Sequence, residues 1–184
     1  MPHWSQKRVV YFATFRLADS VPKPILEQWK ERKDFWLAEH PEPRSEEVQR
    51  EYHRLFTWTF HDFLDAGHGD CLLAQPSLAQ IVAGALRFFD GQRYRLGEWV
   101  VMPNHVHALF QTMDDFKPED ILHSWKSFTA KEINKSTRRT GQVWQHESYD
   151  RIVRSPAELS RIEKYIQDNP KKARIRVSHA SWLP

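Results

Sequence analysis

One cysteine, Cys71, and six glycines are all that this 184-residue chain holds of either. A lone cysteine cannot close an internal disulfide, and scattered histidines such as His53, His61 and His68 lack the spacing of a structural zinc finger. Nowhere does an apolar run approach the roughly 20 residues that span a bilayer, and the N-terminus lacks the apolar core of a signal peptide. These absences point to a reduced, cytosolic protein with no membrane partner. There is no internal repeat, no Gly/Ser linker and no break in composition, so residues 1–184 read as a single domain with a proper core.

Charge is mild overall, with a formal net of +3 and a pI near 9.0. Its distribution is not. From Ile121 to Pro184 there are 13 Lys and Arg against 6 Asp and Glu, a surplus of +7, while the first 120 residues hold 14 and 18, a balance of −4. A charge run is ordinarily a solvated face, but a basic half beside an acidic one also suits a polyanion. The candidate phosphate contacts are Lys126, Lys131, Lys135, Arg138 and Arg139 along one helix and its exit, Lys164, and then Lys171, Lys172, Arg174 and Arg176. Trp125, Phe128, Trp144 and Trp182 are interleaved with them, and single strands are held by stacking on rings as well as by charge. Most tryptophans belong in the core, which leaves Trp182 as the best exposed candidate.

The most informative residues are His105-Val106-His107, on an apolar strand introduced by Met102-Pro103-Asn104. Strand side chains alternate between faces, so the two imidazoles point the same way and make half of a divalent-metal site. Downstream, Ser155-Pro156-Ala157-Glu158 announces a helix with a serine N-cap, proline at the first position and a capping-box glutamate. Its apolar side is Leu159, Ile162 and Ile166, and Asn169-Pro170 is expected to end it. Tyr165 and Asn169, four apart, share one helix face. Taken singly, the histidines read as satisfied strand residues, the tyrosine as core and the asparagine as a helix stop.

Together these residues resemble the Y1 HUH single-strand transposases, the family of the IS200/IS605 elements, and especially the REP-associated tyrosine transposases. The resemblance rests on WVVMPNHVHALF (Trp99 to Phe110), ILHSWKSFTAKEIN (Ile121 to Asn134), VWQHESYDRIVR (Val143 to Arg154) and RIEKYIQDNPKKA (Arg161 to Ala173). The opening VVYFATFRLA is similar to the family's first strand. The family implies a metal-dependent endonuclease and strand transferase acting on single-stranded, hairpin or palindromic DNA in the bacterial cytosol. His105, His107 and Asn169 would hold Mg²⁺ or Mn²⁺, and Tyr165 would attack a phosphodiester and keep the 5′-phosphate as an ester. Asn169 stands where the insertion-sequence branch usually has glutamine. Lys126, Lys131, Arg138, Arg139, Lys164, Lys171 and Lys172 would contact DNA. The group that activates Tyr165 is not evident, with Lys164 and Lys126 as neighbours to consider, and Tyr149 is the competing nucleophile. A monomer is expected, with a dimer exchanging tyrosine helices as the alternative.

Three other readings compete. A cupin-type oxygenase also uses His-x-His but calls for many glycines and a nearby glutamate. A noncatalytic nucleic-acid-binding module leaves His105, His107 and Asn169 without a shared task, and a structural zinc protein lacks ligands.

The expected order is strand (Val9 to Leu17), helix (Pro24 to Glu39), helix (Ser45 to Asp65), helix (Ser77 to Asp90), strand (Tyr94 to Met102), strand (Val106 to Thr112), helix (Pro118 to Thr137), strand (Tyr149 to Val153) and helix (Ser155 to Asn169). Helices mixed with antiparallel strands indicate an α+β two-layer sandwich. The resemblance adds a ferredoxin-like or RRM-like sheet with helices on one face, an accessory helical insertion over about 19–76, and a basic tail over 171–184.

Overall fold

The structure, a computed structural model, describes residues 9–113, 115–172 and 179–180. In chain order it contains β1 (Val10–Arg16), α1 (Lys23–Glu39), α2 (Glu46–Tyr52), a π-helical stretch (His53–Trp58), α3 (Thr59–Asp65), a 3₁₀ turn (Leu72–Ala74), α4 (Pro76–Phe88), β2 (Tyr94–Val101), β3 (His105–Thr112), α5 (Pro118–Thr137), β4 (Tyr149–Ile152), α6 (Pro156–Lys172) and β5 (His179–Ala180). The strands form one antiparallel sheet in the order β4-β1-β3-β2-β5, so the α+β class stands.

β3 is the middle strand, and both its neighbours are buried along most of their length, which is why VVYFATF and WVV read as near-continuous apolar runs. Pro103 and Asn104 turn β2 into β3, with Met102 N–H donating to His105 O at 2.8 Å. A register shift between Leu96 and Trp99 marks a bulge at Gly97-Glu98, which returns Trp99 to the same face as Leu96.

The two sheet faces carry separate cores. On one, Tyr11, Ala13, Phe15, Val106, Ala108 and Phe110 meet Leu78, Val82 and Leu86 of α4 and Ile121, Trp125 and Ile133 of α5. This is the helix layer of the expected sandwich. The opposite face, with Phe12, Val100, Met102 and Leu109, packs on Ile162 and Ile166 of α6, with Trp58 from the insertion at its margin. Tyr94 ties the first core together. Its hydroxyl donates to Leu86 O at 2.8 Å and accepts from Trp125 Nε1 at 2.9 Å. Tyr94→Phe would strand both partners in the interior, at a cost of about 1–3 kcal/mol. Urea unfolding should show that loss, with the chemistry on the other face unchanged.

α5 occupies the expected residues. Proline sits in its first turn with Glu119 and Asp120 beside the positive end of the helix dipole, and Arg138 ends it in the left-handed region at φ 53°. α6 starts as expected, with Ser155 Oγ accepting Glu158 N–H at 3.2 Å. The Glu158 carboxylate reaches back to Arg154 N–H at 2.7 Å and pairs with Arg151 of β4. One expectation needs correction. The helix does not stop at Asn169-Pro170 but runs to Lys172, with Pro170 inside it. Proline there sacrifices only last-turn bonding, and buried Ile166 and Asn169 hold the turn in place. Of the expected 171–184 tail, Lys171 and Lys172 thus belong to α6, and His179–Ala180 pairs with Trp99 and Val100.

The 19–76 insertion is helical as expected. α1 lays Trp29 and Trp36 on Phe56 and Phe60, and α2, the π-helical stretch and α3 run on without interruption. α3 ends against the β2–β3 turn. Asn104 Nδ2 donates to His68 O at 3.0 Å, and Asp70 N–H donates to Asp19 Oδ2 at 2.7 Å. Gly69 (φ 87°) is required here, since a Cβ would lie 2.7 Å from Asp19 O.

Candidate active site

His105 and His107 lie on β3, fully buried, on the face that meets α6. α6 brings Tyr165 and Asn169 to them one helical turn apart. The Tyr165 hydroxyl is 3.2 Å from His107 Nε2. A fifth residue completes the group. Asp65, the last residue of α3, places Oδ1 3.3 Å from His105 Nε2 and accepts the Asn169 amide N–H at 3.0 Å. Its Oδ2 faces the Tyr165 hydroxyl at 3.3 Å.

Asp65 is therefore the site residue that sequence reasoning missed, and the insertion, which looked like an accessory surface, delivers it. No motif marks Asp65, and it lies forty residues before His105. His61, one helical turn earlier, also reaches the site, with its ring stacked near that of Tyr165 at 5.8 Å and tilted against His107 at 5.0 Å.

The hydrogen bonds tell what this cluster is suited to hold. Asn104 Nδ2 donates to a carbonyl, so its Oδ1 is the acceptor that faces His105 Nδ1 at 2.7 Å. A neutral His105 thus carries its proton on Nδ1 and a lone pair on Nε2. That Nε2 lies 3.0 Å from His107 Nε2. Burial, then the neighbouring His105 and His61, push His107 well below its usual pKa, which keeps it neutral. Ligand atoms of Asp65, His105 and His107 all lie within 4.8 Å of one another. Electron-rich atoms this close repel unless a shared proton or a metal ion sits among them. Two imidazole nitrogens and a carboxylate oxygen suit a divalent metal. Asn169 Oδ1 is buried and has no hydrogen-bond partner among the described residues, so it is open to the same use.

The titratable groups respond to this packing. Burial pushes the Asp65 carboxyl up, but His105 when it also carries a proton on Nε2, together with the bonds from Asn169 and Tyr165, outweighs it and holds the group below its ordinary range. Burial and the Asp65 charge push the Tyr165 phenol far above its ordinary value, so without a cation the proton stays on oxygen. Burial lowers His61 to about 3.

Tyr149 stands apart. Its hydroxyl pairs with Thr57 Oγ1 at 3.4 Å, and its ring meets His61 edge-on. Lys126 donates to His146 O at 2.7 Å and to Ser148 Oγ at 3.2 Å, and Lys164 is exposed on α6. His107 and Asp65 both touch the Tyr165 hydroxyl and can take its proton.

The other basic candidates divide between two layers. Lys131, Arg138 and Arg139 are exposed on α5 and its exit, with Arg139 paired to Asp70 at 3.0 Å. Lys171 is exposed on α6 and pairs with Asp168 at 3.0 Å. The Lys172 side chain, Arg174, Arg176 and Trp182 lie outside the described residues. Trp125 and Trp144 are core residues, packed against Phe15, whereas Phe128 is 52% exposed beside Lys131. On the Asp65 side the cluster borders a cavity of about 300 Å³, lined also by Leu64, Cys71, Met102 and Asn104.

The family described as "Transposase IS200 like" matches residues 76–169, just over half of the chain, and the protein belongs to that family. The matched residues include His105, His107, Tyr165 and Asn169, while Asp65 lies upstream of them. An uncharacterized protein of Haemophilus influenzae is 24% identical over 41% of this chain and 54% of its own, so the chain spans about half the length of that curated relative. Among solved structures, a REP-associated tyrosine transposase bound to a REP hairpin aligns at 15% identity and a TM-score of 0.48, covering 94% of this chain and 74% of the other. A Deinococcus radiodurans R1 protein described as a transposase candidate aligns at 12% identity and a TM-score of 0.35, covering 92% and 96%. Among the described residues no helix is long and apolar enough to cross a membrane.

Proposed function

We propose that this protein cuts and rejoins single-stranded DNA at hairpins or REP-like palindromes through a phosphotyrosine at Tyr165. The observation that carries the reading is the Tyr165 hydroxyl, 3.2 Å from His107 Nε2 and within hydrogen-bond reach of Asp65. His105, His107 and Asp65 would hold Mg²⁺ or Mn²⁺, with Asn169 Oδ1 beside them. Such an ion supplies positive charge for a non-bridging phosphate oxygen and offsets the Asp65 charge that opposes ionisation of the phenol.

The Tyr165 oxygen attacks phosphorus and its proton passes to Asp65 Oδ2. The bond from phosphorus to the 3′ oxygen breaks, and that oxygen leaves as a 3′-hydroxyl after taking a proton from solvent water, while the proton on Asp65 returns to solvent. A DNA 3′-hydroxyl attacking the ester reverses the sequence and rejoins strands, so the bond energy is conserved. Asn169 holds Asp65 in place through its amide N–H. Lys131, Arg138, Arg139, Lys164, Lys171 and Lys172, together with Lys126, would guide the backbone, and Phe128 offers a stacking face. Arg139 and Lys171 must release Asp70 and Asp168 to do so.

The test is a denaturing gel with 5′- and 3′-labelled hairpins from the DNA that flanks the gene, run with Mn²⁺ or EDTA. A protein-linked 5′ end that needs Mn²⁺ is expected. Retarded DNA without any adduct would mark a binding module instead.

A further inference from the structure

Thr14 is a hydroxyl in a place that packing alone would give to an apolar side chain. It is 4% exposed on β1, on the site face, with Phe12 two residues before it. A buried hydroxyl needs a partner, and the sheet supplies one. β1 pairs with β3 so that Thr14 lies directly across from His107. Thr14 Oγ1 is 2.7 Å from His107 Nδ1.

An imidazole that offers Nε2 to a cation must carry its proton on Nδ1, and that N–H needs an acceptor. Asn104 Oδ1 meets this need for His105 at the same 2.7 Å. Thr14 can meet it for His107 because its own proton has another direction to point, toward His61 Nε2 at 3.5 Å. The two acceptors come from unrelated places, one from the β2–β3 turn and one from the neighbouring strand. Both leave an Nε2 facing the same point.

We infer that Thr14 is a positioning residue of the metal centre, which accepts the His107 Nδ1 proton and so aims the Nε2 lone pair at the ion, as Asn104 does for His105. The inference rests on the metal centre proposed above and not on strand transfer.

The test uses the full-length protein without DNA. Mn²⁺ affinity is measured by titration for wild type, Thr14→Val, which keeps the shape and loses the hydroxyl, and Thr14→Ser, which keeps the hydroxyl. T14V is expected to bind about 10–100-fold more weakly, the usual scale for an outer-shell partner, and T14S to recover most of the loss. In the Mg²⁺-loaded protein, nitrogen-15 NMR should show a protected His107 Nδ1–H in wild type and T14S that is lost in T14V. Wild-type affinity in T14V, or equal losses in T14V and T14S, would overturn the inference. So would a wild type that binds no Mn²⁺. A wild type that binds Mn²⁺ with the expected T14V loss but forms no DNA adduct would defeat strand transfer and leave this role for Thr14 standing.

Discussion

Tyr165→Phe is expected to eliminate the protein–DNA adduct and strand cleavage while hairpin binding persists. The loss should be on the order of 10⁴-fold or more, the scale on which removal of a covalent nucleophile acts. The substitution deletes one oxygen and nothing else. The ring keeps its edge contact with Trp58, at 5.3 Å, and its stacking on His61. Asp65 keeps the Asn169 amide and His105, so the fold loses about 1.5–3 kcal/mol with the hydroxyl, the scale of a hydrogen bond to a charged group. Tyr149→Phe is the contrast. Its hydroxyl reaches Thr57 rather than the histidines, and cleavage should stay near the wild-type rate. Labelled hairpins on denaturing gels, with fluorescence anisotropy for binding, read both results. An adduct that survives Tyr165→Phe and disappears in Tyr149→Phe would transfer the nucleophile to β4.

Asp65→Asn should be nearly as damaging, for a different reason. The carboxylate is the one negative charge in the three-residue cluster, and the change keeps its shape while removing that charge. Loss of a direct ligand should exceed the 10–100-fold typical of an outer-shell partner. Wild-type protein should therefore melt at a higher temperature when Mn²⁺ is added, by mass action on the folded state, whereas Asp65→Asn should show little shift. The adduct should disappear with the shift. A variant that keeps both would show that His105, His107 and Asn169 suffice and that Asp65 only braces α6.

Much of this site is readable from local rules, and the exceptions are instructive. His105 and His107 share a face because strand side chains alternate, and Tyr165 and Asn169 share one because a helix turns every 3.6 residues. Both relations involve neighbours in sequence, as do the Pro103-Asn104 turn and the limits of α5. Asp65 and Thr14 are different. Asp65 reaches His105 only because α3 ends against the β2–β3 turn, and Thr14 reaches His107 only through the register of β1 on β3. Such placements depend on tertiary packing, which leaves no periodic trace. Pro170 misled for a related reason. A proline disfavours helical geometry at the residue before it, but here the two buried side chains that precede Pro170, Ile166 and Asn169, anchor that turn. The charge asymmetry was legible as a count, and so was the division of the basic residues between two helices, but not that α5 and α6 pack on opposite faces of the sheet.

The π-helical stretch His53–Trp58 sits between two ordinary α-helical segments, and such stretches arise by inserting a residue into a helix. Each residue turns a helix by about 100°. Asp65 and His61 lie downstream of the stretch and Trp36's partner Tyr52 upstream, so the angle between the hydrophobic clasp on α1 and the carboxylate depends on how many residues separate them. Segment length is thus a quantised setting here. The residue count from Glu46 to Asp65 is part of the active site as surely as any side chain in it.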